Sequence, residues 1–75
     1  MTRVFTAYVE FDPEARLYAG TVPGLVGAHS QGATLDELQK NLHEVIELIL
    51  DEKRARREKV EVEPFVGIQQ IAVNE

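Results

Sequence analysis

Only one stretch of this chain carries a helical period, and that limits the fold more than any other feature. From Thr34 onward, Leu35, Leu38, Leu42, Val45, Ile46, Ile49 and Leu50 recur at spacings of three and four, forming one apolar stripe. Thr34 and Glu37 form a capping box: the hydroxyl can accept the Glu37 N–H while the carboxylate reaches back to the N–H of Thr34. Asp36 places negative charge in the first turn, and Lys53, Arg54, Arg56 and Arg57 place positive charge near the last, which suits the helix dipole at both ends. A lone amphipathic helix has to bury its stripe against something else, and the remaining segments read as strands.

The segment Arg3 to Phe11 is rich in β-branched and aromatic residues, with Phe5, Ala7, Val9 and Phe11 on one face and Val4, Thr6, Tyr8 and Glu10 on the other. Asp12 to Arg16 has Asp-Pro turn chemistry, and a second short strand follows from Leu17 to Val22, so the pair reads as a hairpin. Pro23-Gly24 breaks that strand, and a brief third extended segment, Val26 to Ser30, leads to Gly32. Beyond the helix, Lys59 to Pro64 reads as a charged, extended exit. Phe65 to Asn74 reads as a final strand whose alternation is weakened by Gly67 and Gln69-Gln70. The expected fold is α+β, with β-β-β-α-β order and an antiparallel sheet carrying one long helix on one face, as a single domain over residues 1–75.

One helix covers one face of such a sheet, so the other face has to meet water or another chain. Val4, Tyr8, Tyr18 and Val22 are assigned to that second face, opposite the Phe5/Phe11 and Leu17/Ala19 sets, and with parts of the last strand they form an expected partner or self-association surface. Size points the same way. A 75-residue chain has a core worth about 3–5 kcal/mol and usually needs a staple. There are no cysteines, so disulfides and thiolate zinc sites are excluded, and association with another chain is the remaining route. A net charge of −5 argues against a surface built to follow a phosphate backbone and favours neutral or basic partners. Met1 leads into Thr-Arg-Val-Phe without a signal-like apolar run, and no stretch is long enough to span a bilayer, so a soluble cytoplasmic protein is expected.

Few residues invite chemistry. His29 and Ser30 are neighbours on a strand, so they point to opposite faces, and no third group orients either one; a surface histidine is the stronger reading. His43 and Glu47, four apart on the helix, lack the second histidine of a helical zinc motif and read as a surface pair. Glu10 and Asp12 could hold magnesium, but their Pro-containing turn explains Asp12 by local hydrogen bonding. The glycines before the helix have neither the Lys-Ser/Thr of a phosphate loop nor dinucleotide-binding spacing. Lys53 to Lys59 holds five of the eight basic residues, yet it is flanked by Glu52 and Glu58 and has no aromatic to stack on bases. No catalytic residue, cofactor or metal is expected. The alternatives are a small metal-dependent nuclease or hydrolase using Glu10, Asp12 or His29, and an RNA-contacting protein using the basic helix end.

The block from Val22 to Leu50, preceded by the hairpin, resembles the HicB-like antitoxin family. That pattern has a Pro-Gly turn, a Gly followed by a small residue, a Gln-Gly-x-Thr approach and then a Leu- and Glu-rich amphipathic helix; Pro23, Gly24, Gly27, Gln31, Gly32, Thr34, Glu37, Asn41 and Ile46 stand at its marked positions. The resemblance implies a partial RNase H-like fold, self-association as a homodimer or higher oligomer, and a non-enzymatic protein that masks a small, basic ribonuclease toxin of the HicA type, or an orphan member of the family without such a toxin. The acidic surface suits such a partner. Full-length members carry a C-terminal helix-turn-helix or ribbon-helix-helix segment that binds operator DNA; none follows the last strand read here, so direct DNA binding is not expected.

Overall fold

The computed structural model describes residues 2–62 and 64–75. Three strands, β1 (Tyr8–Asp12), β2 (Leu17–Thr21) and β3 (His29–Gly32), form an antiparallel sheet in the order β1-β2-β3, followed by one long helix, α1 (Leu35–Ala55). The α+β class and the antiparallel sheet with one helix are as expected.

The first hairpin is set by Asp12. Its carboxylate Oδ1 accepts the N–H groups of Glu14 at 2.9 Å and Ala15 at 3.3 Å, its carbonyl accepts Arg16 N–H at 2.8 Å, and Arg16 closes the loop in the left-handed region at φ 57°. The second hairpin is built from two consecutive turns. Val22 O accepts Leu25 N–H at 3.2 Å and Leu25 O accepts Ala28 N–H at 3.1 Å. Gly24 (φ 85°) and Gly27 (φ 86°) occupy the positive-φ position of each turn, as a type II turn requires. This three-residue repeat points Val22, Leu25 and Ala28 inward, where they form a buried cluster packed by Phe5, Ala7, Ile46, Ile49, Val60 and Val62.

α1 seats on the sheet through glycines. A Cβ on Gly20 would stand 2.8 Å from Leu42 Cδ1, and one on Gly32 would stand 2.5 Å from Leu38 N, so Leu38 and Leu42 lie almost on the backbone of β2 and β3. Asn41 Nδ2 donates to Gln31 O at 2.8 Å and ties the helix to β3. At the start of α1, Thr34 Oγ1 accepts Glu37 N–H at 3.1 Å; the return bond from the Glu37 carboxylate does not form among the described residues, so one arm of the capping box is made. At its end, Glu58 N–H donates to Lys53 O at 2.9 Å and Arg57 N–H to Arg54 O at 3.0 Å, a Schellman motif with Arg57 at φ 58° in the position that favours glycine.

Two expected strand starts and the last expected strand are corrected, and β2 ends at Thr21, one residue before the expected Val22. β1 starts at Tyr8 instead of Arg3, because its partner β2 ends at Thr21 and the chain then enters the turns. β3 begins at His29 because Val26 and Gly27 are used by the second turn. The final strand over Phe65–Asn74 is not formed: among the described residues no strand follows α1 and no backbone ladder joins this segment.

Gly32→Ala is expected to cost about 2–3 kcal/mol, since the new methyl meets helix backbone, and Gly20→Ala less, since it meets a rotatable leucine tip. Urea midpoints for the two variants check that order. Arg57→Gly is expected to raise stability by about 0.5–1 kcal/mol in the same assay by relieving the left-handed strain.

Candidate functional site

The seating of α1 on Gly20 and Gly32 places it over β2 and β3, and no Cα of α1 comes within 8 Å of one in β1. An open groove of about 990 Å³ results, with Phe5, Ala7 and Val9 along one side and Leu35, Leu42, Ile46 and Leu50 along the other. Val9, 43% exposed, and Leu35, 56% exposed, are expected in the core yet line this unfilled space, and Phe11 is 51% exposed. The Phe11 ring packs on Tyr18, with centroids 4.9 Å apart, and not on the helix. Charged groups border the groove: Arg3, the His43–Glu47 pair at 3.1 Å, and the Arg54–Asp51 pair at 2.8 Å. Both pairs are largely exposed and hold little energy.

The outer face of the sheet is the second open surface, and its membership differs from the expected one. The hairpin loop has four residues, Pro13–Arg16, so odd-numbered residues of β1 pair with even-numbered residues of β2, as in Phe11↔Tyr18 and Val9↔Gly20. Tyr18 and Val22 therefore turn toward the helix side, and Val22, 2% exposed, is core. Leu17 and Ala19, assigned to the core set, turn outward instead. Tyr8 does face outward, beside Thr21 and then His29 across the sheet, and Val4 is exposed at 85% ahead of β1. Glu10, Ala19 and Gln31 form the next row, and Asp12 and Leu17 the last.

The groups considered for catalysis are dispersed. His29 lies in the Tyr8 row and Asp12 at the other end of β1, two strands away, a separation of about 16 Å by strand spacings, too far to share one metal ion. Ser30 is opposite Gly20 on the helix side while His29 is opposite Thr21 on the outer side. Among the described residues no group of three or more His, Asp or Glu side chains could hold a metal ion. The basic helix end is largely self-paired, with Lys53–Glu58 at 3.7 Å and Arg56–Glu52 at 2.6 Å. Pro23, Gly24, Gly27, Gln31, Gly32, Thr34 and Glu37 all act in the turns, the glycine seat or the helix cap. The groove itself was not anticipated from the sequence; the available signal was the pair of glycines, in strands that carry no bulky inward residue at those positions.

The chain is similar along nearly its whole length to three curated proteins. A UPF0150 protein of Thermotoga maritima is 39% identical over 71 residues, covering 95% of this chain and 91% of the relative. One of Synechocystis sp. is 42% identical over 72 residues (92% and 93%), and one of Archaeoglobus fulgidus 38% over 69 residues (92% and 93%). The chain belongs to the UPF0150 family. No family model matches it, and no solved structure matches it significantly. The Thermotoga match leaves four residues of the chain outside it, so most of the segment after α1 falls within the length shared with that UPF0150 relative. Among the described residues, no helix of this UPF0150 chain is long and apolar enough to cross a membrane.

Leu25→Ala is expected to destabilise the fold by about 2–5 kcal/mol and Tyr8→Ala by no more than about 0.5 kcal/mol. Thermal or urea unfolding of the two variants tests the division between the core made by the tandem turns and the open outer face.

Proposed function

We propose that this UPF0150 chain is a non-catalytic binding module of antitoxin type, which self-associates and masks a small basic ribonuclease in the cytoplasm. The observation that carries the reading is the uncovered outer face of the sheet, where Tyr8, Leu17, Ala19 and Thr21 offer contact area and Glu10 and Asp12 offer negative charge. A mixed apolar and acidic surface of this kind suits a basic protein partner, because complementary charge speeds encounter and discourages wrong partners. The charge balance supports it further: residues 2–52 hold nine acidic side chains against three basic ones, while five of the eight basic residues lie between Lys53 and Lys59. The likeness to HicB-like antitoxins supplies the class of partner, and the wide separation of Asp12 from His29 speaks against the nuclease alternative.

Co-expression with the product of a small, basic reading frame adjacent to the gene tests this function. Relief of growth arrest and a co-eluting complex on gel filtration are expected, with association slowed about tenfold by Glu10→Arg at low salt. Arrest that persists, with no complex formed, contradicts the proposal.

A further inference from the structure

We propose that the segment Phe65–Val73 is an exchanged strand: it leaves its own body and completes the sheet of a second copy of this chain, along the open side of β1 and into the groove beside α1. The inference rests on the self-association part of the reading above and is independent of any ribonuclease partner.

Four observations carry it. The segment is the most apolar exposed part of the molecule, with Val66 97%, Ile68 71%, Ile71 80% and Val73 76% exposed. Phe65, Ile71 and Val73 share one parity, and Val66, Ile68 and Ala72 the other, as in a strand covered on both faces. The sheet offers the matching vacancy, since among the described residues β1 is paired only on its β2 side, and its Val9 lines the apolar groove. Edges of this kind are where a peptide adds as a strand, with main-chain hydrogen bonds giving affinity.

Size supports a second copy as the source. The chain exposes 6725 Å² for 8.4 kDa, whereas a compact monomer of that mass exposes about 4,600 Å². The surplus, about 2,100 Å² per copy, lies within what obligate homodimers bury. The radius of gyration is 14.5 Å, against about 11 Å for a compact chain of this length. Phe65 to Gly67 line a pocket together with Arg3–Thr6 and Pro23-Gly24, and Ile68, Ile71 and Val73 beyond it are exposed. Reciprocal exchange uses the same patch on both copies, which closes the assembly as a symmetric dimer.

The absence of cysteine permits a direct test. Two differently tagged full-length chains are co-expressed, one carrying Val9→Cys and the other Ile68→Cys, Ile71→Cys or Val73→Cys in turn, and are oxidised after purification. At least one tail position is expected to give a disulfide-linked pair bearing both tags, at twice the chain mass by light scattering, with helix content unchanged. The double variant carrying both cysteines in one chain provides the decisive comparison: a link closed within a monomer overturns the proposal. So does a chain that is monomeric at all concentrations, or a dimer in which no tail position links to Val9→Cys. None of these readouts depends on toxin binding, so failure of exchange and failure of the antitoxin reading are separable.

Discussion

The packing of Leu38 and Leu42 against the side-chain-free backbone at Gly20 and Gly32 is the contact on which the rest of this structure depends. Burying two leucines this closely contributes about 3–6 kcal/mol in all, on the scale of the whole stability available to a domain this small. It also fixes where the helix lies. Glycines in β2 and β3 let α1 descend there, while Val9 and Phe11 of β1 hold no such seat.

The open groove and the free edge of β1 are consequences of that off-centre seat. A helix resting centrally on the sheet would cover Val9 and Phe11; one held over β3 by the Asn41–Gln31 bond leaves them exposed. The tandem turns then supply what the helix cannot, carrying Val22, Leu25 and Ala28 beneath Ile46 and Ile49 as a second, smaller core. The molecule thus has two modest packing centres and one incomplete side. The proposed binding role draws on this surface, across which the titratable groups Tyr8, Glu10, Asp12 and His29 are spread.

Much of this was legible in the sequence, for reasons particular residues make plain. The helix from Thr34, its cap and its dipole-matched ends depend on local spacing, and local spacing is what a sequence displays. The Asp12 turn was equally readable from Asp-Pro chemistry. The faces of β2 were not, since they depend on loop length: four residues between the strands reverse the parity, which carried Tyr18 and Val22 to the helix side and Leu17 and Ala19 away from it. The last strand failed for a different reason. Phe65–Asn74 has the composition of a strand, but composition does not specify the edge a strand pairs with.

The central physical claim is that the sheet is incomplete on the β1 side in one copy and is completed by residues 65–73 of another. Amide hydrogen exchange followed as a function of protein concentration tests it most directly. Slow exchange at Val66 to Val73 in concentrated solution, lost on dilution together with slow exchange at the outer edge of β1, is the expected result. Exchange in that segment at open-chain rates at every concentration would contradict it.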